Sequence, residues 1–343
     1  MLRAAVPAAL VLAACLAAAP GASGQVSLAD ASRVSFDEAL SAAAELPRLH
    51  SLLVSRHGGL VLERYFNGRR ATTLANIKSA SKSFISALVG IAISRGQIPG
   101  VQSPVAAFLS DQFSSADDPR RQITIEDLLT MRSGLESTSN RNYGAWVTSR
   151  NWVRHALSRP LLGEPGAGMR YSTGNTHVLS AILTRATGRS TWQFAQDALA
   201  KPLGFSLPQW PRDPQGIYFG GNDMLMTPRQ MVAFGELYLN RGRAAGVELI
   251  PEAWIQASWV PRGRSDFSEQ LYGYGWWIRE IAGQQAYYAW GYGGQFIYVI
   301  PALDLVVVST SSADVAEERR SHRRTVDEIV EYLIVEKIAN SAA

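Results

Sequence analysis

The sequence predicts an α+β fold, with one antiparallel sheet built from both termini, helices flanking it and an all-helical insertion between the two contributions. Three observations predict it. Two short β-type runs joined by His57-Gly58-Gly59 lie near the start, further β-type runs return only in the last third, and the middle carries helix caps and helical spacing. The implied division assigns 25–105 and 215–343 to an α/β sheet part and 106–214 to an all-helical part. A cleft between two such parts is the default place for a site.

Residues 1–24 read as a signal peptide. Arg3 gives a positive start, Ala4 to Ala14 is apolar but too short to span a bilayer, and Ala22-Ser23-Gly24 offers a cleavage site before Gln25. Export to the periplasm or the exterior is the expectation. The only cysteine, Cys15, follows Leu12-Ala13-Ala14, an order that also fits lipoprotein processing, so a membrane-anchored lipoprotein with its lipid on Cys15 is the alternative. Against it, the apolar run continues through Leu16 to Ala19. Cleavage before Gln25 leaves no cysteine, which excludes disulfides, thiolate metal sites and a cysteine nucleophile. No other apolar stretch has spanning length.

Leu49 to Arg56 and Leu60 to Phe66 read as a hairpin. A helix is expected from about Ser79 to Ser94, ended by Arg95-Gly96. Thr124-Ile125-Glu126-Asp127 caps a helix that Ser133-Gly134 closes, and Asn175 to Thr187 has Val178, Leu179, Ile182 and Leu183 at helical spacing before Gly188. Thr227-Pro228-Arg229-Gln230 combines a cap, a first-turn proline and a capping-box glutamine for a helix to about Asn240. Strands are expected at Tyr272–Ile278, Ala286–Trp290, Gln295–Ile300 and Leu305–Ser309, with a tight turn at Pro301–Asp304. A last amphipathic helix would place Val326, Ile329, Val330 and Leu333 on one face.

The 343 residues suffice for one large domain or two joined ones, and 47% hydrophobic with 18% charged residues is ordinary for a globular enzyme. The net charge of +4 is mild. The run Glu317-Glu318-Arg319-Arg320-Ser321-His322-Arg323-Arg324 mixes signs and reads as a solvated helix start, so no nucleic-acid partner is expected.

There is no Gly-x-Ser-x-Gly elbow, no His-Glu-x-x-His and no phosphate-cradling glycine loop. Neither His57, in a turn, nor His322, in the charged run, looks placed for catalysis. What stands out is Ser79-Ala80-Ser81-Lys82. Spacing of three at a helix start puts hydroxyl and ammonium on one face, above the positive helix end. A lysine buried there loses affinity for its proton and can activate a serine without histidine. Alone, the pattern is weak and reads more readily as a capping serine and a solvent-facing lysine. The apolar helix behind it, Ser83 to Gly90, argues against an exposed turn. Two further segments accompany it: Tyr171-Ser172-Thr173 in a loop before a helix, and Trp290-Gly291-Tyr292-Gly293-Gly294-Gln295 opening a strand.

In these ordered motifs the chain resembles the serine β-lactamase and penicillin-binding-protein superfamily, in its class C-like esterase and 6-aminohexanoate-dimer-hydrolase branch. Flanking segments at 49–66, 124–135 and 220–239 extend the likeness over nearly the whole mature chain. The resemblance implies a β-lactamase/transpeptidase-like fold and a serine hydrolase. Ser79 would form an acyl-enzyme, Lys82 would take its proton, and Tyr171 would pass protons to the leaving group and water. The N–H groups of Ser79 and Gln295 would form the oxyanion hole. Gly291-Tyr292-Gly293 and Tyr292-Gly293-Gly294 are both open as the third motif, so Tyr292, Gly293 and Gly294 join the substrate-contacting set.

Two departures bear on specificity. Thr173 stands where asparagine is usual, and Tyr292 where lysine or histidine is. In β-lactam-directed members the cation there holds the substrate carboxylate, so the second weakens the expectation of a β-lactamase or a D-Ala-D-Ala carboxypeptidase and favours a small-molecule ester or amide substrate without that carboxylate anchor. The other alternative is a catalytically silent sensor or binding protein. No metal and no cofactor is implied. Trp276, Trp277, Tyr288 and Trp290 read chiefly as core, and Tyr143 and Trp146 are lid candidates.

Overall fold

The computed structural model describes residues 34–314 and 318–342. The signal-peptide and Cys15 expectations lie outside these residues. Helix α1 (Asp37–Ala44) leads into the hairpin β1 (Leu49–Arg56) and β2 (Gly59–Tyr65). A two-residue strand β3 (Ala75–Asn76) follows, then a single 3₁₀ turn at Lys78–Ala80 and helix α2 (Ser81–Ser94). The helical middle includes α3 (Ile125–Leu129), α4 (Trp152–Leu157) and α5 (Thr173–Thr187). Strand β4 (Leu225–Met226) pairs with β3, and α6 (Pro228–Leu239) follows. After a small ribbon of β5 (Arg243–Ala244) and β6 (Val247–Glu248) come β7 (Gly263–Arg264), β8 (Leu271–Tyr272), β9 (Trp277–Ile281), β10 (Gln284–Gly291), β11 (Gln295–Ile300) and β12 (Leu305–Ser311). Helix α7 (Arg319–Glu328) continues through a π-helical segment, Ile329–Val335, into α8 (Glu336–Ala342).

Eight strands form one antiparallel sheet in the order β2-β1-β12-β11-β10-β9-β8-β7. The two ends of the chain meet where β1 lies beside β12, with Leu52 opposite Ser309 and Val54 opposite Val307. Helices cover both faces, so β12 is buried at every position, and Leu305 to Val308 are apolar in succession instead of alternating. Val306 and Val308 pack with Leu53, Ile297 and α2 on one side, while Leu305 and Val307 pack with Phe296, Tyr298, α1 and the C-terminal helix on the other. Gly235 of α6 lets that helix lie close on the sheet, since a Cβ there would sit 2.6 Å from Val306 Cγ1. One residue earlier, Phe234 stacks on Phe84 of α2 with ring centroids 3.6 Å apart. The expected capping boxes at Thr124 and Thr227 are present.

Three expectations need correction. The strand expected at Tyr272–Ile278 is a hairpin, with Tyr272 opposite Trp277, because the chain turns at Gly275, whose φ of +78° suits glycine, and the Gly273 N–H donates to the Trp276 carbonyl at 2.9 Å. Leu333 is only partly buried: the π segment shifts the apolar face, and Ile334, Val335 and Ile338 fill the core instead. The charged run is not simply a solvated helix start, because His322 within it is buried. No helix among the described residues is long and apolar enough to cross a membrane.

Candidate active site

Ser79 sits in the 3₁₀ turn between β3 and α2 and is held from both sides. Upstream, β3 pairs with β4, and the Ile77 N–H donates to the Met224 carbonyl at 3.0 Å. Lys78 adopts φ +48°, a left-handed conformation uncommon for lysine, and its Nζ pairs with Asp223 at 2.8 Å. Asn76 fastens the same turn, accepting from the Lys78 N–H and donating to Asp223. Downstream, α2 is apolar along nearly its whole length and buried. Ser79 itself is half-buried.

Lys82, one turn into the helix, is 1% exposed. Its Nζ lies 2.9 Å from Ser79 Oγ, 3.3 Å from Thr173 Oγ1 and 2.6 Å from the Gly221 carbonyl. Three acceptors therefore satisfy the ammonium form. In the neutral form, two N–H groups keep Thr173 and Gly221 while the lone pair faces the Ser79 hydroxyl. Burial pulls the Lys82 pKa down to about 7, with the Asp223 carboxylate acting weakly the other way.

Tyr171 comes from the loop before α5. Its ring lies 5.1 Å from Lys82 Nζ and stacks on Trp277 at 5.7 Å. Burial raises its pKa, an effect that a hydrogen bond with Ser79 partly offsets, so the phenol stays protonated. Thr173, on the first turn of α5, is anchored by Ser139, whose Oγ accepts from the Thr173 N–H at 2.9 Å. Ser79, Lys82, Tyr171 and Thr173 are thus brought together. A hydroxyl, a lysine of lowered basicity and a protonated phenol in contact can move a proton from the serine to a departing group.

The carbonyl that receives Lys82 belongs to a strap, Gly220-Gly221, wedged between α5 and α2. A Cβ on Gly221 would lie 2.3 Å from Thr176 Oγ1 and 2.8 Å from Lys82 Cγ, and its φ of +85° also suits glycine. His177 holds the strap: Nδ1 accepts from the Gly220 N–H at 3.3 Å, and Nε2 meets Asp213 at 3.1 Å. Sequence reading missed this histidine, since its partners are distant in the chain.

The third motif is divided between two neighbours. Gly291, the last residue of β10, lies against the Ser79 turn, where a Cβ would sit 2.1 Å from the Ile77 carbonyl. Gly293 and Gly294, at φ +90° and +105°, approach Ser312 and Ser311 of the far side instead. Gln295 is fully buried, and its side chain is engaged by the Ser311 backbone at both ends. Tyr292 is 37% exposed beside the site, and its N–H has no backbone acceptor among the described residues.

His322, set aside on sequence grounds, lies behind this turn. Its Nε2 meets Ser311 Oγ at 2.9 Å, and Ser311 and Ser309 both donate to the Gly294 carbonyl. Burial, with Arg48 and His50 nearby, lowers its pKa to about 4, so it is neutral. Trp146 is fully buried and is core rather than lid, whereas Tyr143 is half-buried and accepts a hydrogen bond from Asn222. Trp276, Trp277 and Tyr288 are core, and Trp290 is partly buried. Among the described residues, no cluster of three or more histidine, cysteine or acidic side chains is placed to hold a metal ion.

Residues 42–331 match the model of the Beta-lactamase family. A 6-aminohexanoate-dimer hydrolase from Paenarthrobacter ureafaciens is 26% identical over 303 residues, 79% of this chain and 74% of that protein. Among solved structures, EstCE1, described as a hydrolase with promiscuous acyltransferase activity, aligns with a TM-score of 0.71 at 18% identity over 89% of this chain and all of its own. An octameric penicillin-binding protein homologue from Pyrococcus abyssi aligns at 0.65 and 18% identity, over 88% of this chain and 77% of its own. These structural likenesses carry the fold alone.

Proposed function

Because the chain belongs to the Beta-lactamase family and is a serine hydrolase, we propose that it cleaves an ester or amide bond through an acyl-enzyme on Ser79. The observation that carries this reading is the buried Lys82 amine 2.9 Å from Ser79 Oγ, with its pKa pulled to about 7.

Neutral Lys82 takes the hydroxyl proton as Ser79 Oγ attacks the substrate carbonyl. Tyr171 and Lys82 then return a proton to the leaving alcohol or amine, which departs as the acyl-enzyme forms. A water, activated by the same pair, releases the acid. The oxyanion is met by the Ser79 N–H and by an N–H of the third motif, that of Gln295 or that of Tyr292, the first one beyond the close approach of Gly291 to Ile77. The likeness to the dimer hydrolase supports a linear amide as readily as an ester. Export, whether as a cleaved soluble protein or a lipoprotein on Cys15, belongs to the same reading and is tested by the mass of the mature N-terminus.

The deciding test compares wild type with Ser79→Ala on short-chain p-nitrophenyl esters and a chromogenic cephalosporin, with intact mass recorded during turnover. Ester turnover, a transient acyl adduct and loss of both in the variant are expected. An equally active variant overturns the assignment. Preference for the cephalosporin at ordinary catalytic rates moves the protein to the β-lactamase alternative. An adduct that forms and never turns over moves it to the sensor.

A further inference from the structure

Behind the Lys82 amine lies a buried polar pair that the acyl-transfer steps do not use. His177, one turn along α5 from Thr173, and Asp213 have side chains with no exposed surface. Asp213 Oδ1 accepts the backbone N–H groups of Gln215 at 2.9 Å and Ile217 at 2.8 Å, and Oδ2 faces His177 Nε2 at 3.1 Å. Because Nδ1 accepts from the Gly220 N–H, it carries no proton; the ring's proton sits on Nε2 and is donated to Asp213. Trp146, Trp152 and Phe219 close round the imidazole, with centroids 5.7, 5.4 and 5.9 Å away. Polar groups are costly in such a box, where apolar side chains of similar volume would stabilise the fold as well. Packing gives no reason for the histidine.

Its link to the reacting groups takes two steps. Gly220 lies so close on α5 that a Cβ would sit 2.1 Å from the Thr176 carbonyl. The next residue, Gly221, turns at φ +85° and presents its carbonyl to Lys82 Nζ at 2.6 Å. Two successive glycines have no side chains to fix them and the greatest backbone freedom to lose. The Gly220 N–H is thus the handle that sets where the Gly221 carbonyl points. That carbonyl and Thr173 Oγ1 occupy two positions of the Lys82 nitrogen, and the third faces Ser79 Oγ.

We infer that His177 is a positioning residue of the hydrolase: oriented by Asp213, it holds the Gly220-Gly221 strap so that the Gly221 carbonyl aims the Lys82 nitrogen at Ser79. The inference deepens the Ser79 acyl-enzyme reading and rests on it for the reaction, whereas the hold on Lys82 can be read without turnover. Two other ionisable groups face Lys82, and each has a partner of its own: Tyr171 stacks on Trp277 at 5.7 Å, and Asp223 pairs with Lys78 at 2.8 Å.

Two substitutions break the link and one restores it. His177→Leu removes it outright. Asp213→Asn keeps the volume: the Gln215 and Ile217 N–H groups retain the amide oxygen, so the NH2 faces Nε2 and drives the ring proton to Nδ1, against the Gly220 N–H. His177→Asn puts Oδ1 where Nδ1 was. The chain has four lysines, Lys78, Lys82, Lys201 and Lys337, so carbon-13 at lysine Cε lets NMR follow Lys82, whose signal Lys82→Ala identifies by its loss. The Lys82 titration midpoint should fall by about one pH unit in His177→Leu and Asp213→Asn, because the ammonium loses an acceptor, and return toward wild type in His177→Asn. On p-nitrophenyl butyrate, kcat should fall about tenfold or more in the first two with KM within about threefold, since small misplacements of reacting groups act at that scale. Gly235→Val, destabilised away from the site, should lower Tm and move neither readout. A Lys82 midpoint unchanged or raised in Asp213→Asn overturns the inference, as does a loss of kcat in His177→Asn as deep as in His177→Leu. Should wild type turn over no ester, the acyl-enzyme reading fails, while the NMR titration still decides whether His177 positions Lys82.

Discussion

Lys82 and His322 are both buried bases with lowered pKa values, and they belong to different parts of the chemistry. In the proposed mechanism Lys82 must be neutral to accept the Ser79 proton. With its pKa near 7, kcat/KM should rise as pH increases through that value and be lost below it, which a pH profile on a neutral ester checks. Removing the amine with Lys82→Ala should lower kcat/KM about 10²- to 10⁴-fold, the usual worth of a positioned base. His322 supports the turn carrying Tyr292. Its pKa is near 4 in the folded protein and about 6.5 unfolded, so between those values the unfolded chain binds the extra proton. Its contribution to stability is therefore present above about pH 6.5 and lost as pH falls toward 4. The pH dependence of Tm over that window should flatten in His322→Asn.

At the scale of elements, the site depends on backbones that approach too closely for side chains. β10 ends against the Ser79 turn at Gly291, and the Gly220-Gly221 strap lies between α5 and α2. Gly291→Ala would drive a methyl group into the Ile77 carbonyl, 2.1 Å from where it would lie. The Ser79 turn would have to move, so esterase kcat should fall well beyond any loss of Tm. Thermal melts run beside kinetics check this. Gly235→Val, on α6 against Val306 and Ile297, should do the opposite, costing about 1–3 kcal/mol of stability by overpacking with little change in kcat. The motifs at Ser79 and Tyr171 were legible because each is a contiguous run at a helix start. Gly291 was not legible among the glycines at 291, 293 and 294, because only the pairing of β10 with β11 decides which one faces β3 and which face β12.

The whole molecule is closed by the pairing of β1 with β12, so neither the sheet nor the cleft exists without both ends of the chain. The face of the sheet away from α2 is covered by α1 and the C-terminal helix, through Ala39, Ala43, Val326, Ile329, Val330 and Ile334. Ending the chain after Ser311 would strip Tyr298, Ile300 and Val307 of that cover and remove His322. Such a protein is expected to be insoluble, or to lose its near-ultraviolet circular dichroism, which expression and spectroscopy would check.

By itself the sequence determined the fold class, the hairpin at 49–65, the caps at Thr124 and Thr227, and the spacing of Ser79 and Lys82, while Tyr171 joined them only through the family resemblance. Each is local: a period, a cap or a spacing of three residues on one helix face reports directly on nearby backbone. Only the tertiary structure decided that His177 holds the strap behind Lys82 and that His322 stands behind the Tyr292 turn. Those roles depend on residues tens to hundreds of positions apart meeting across a sheet. Burial, which sets the pKa of Lys82 and of His322, is a property of the packed chain and not of its local pattern.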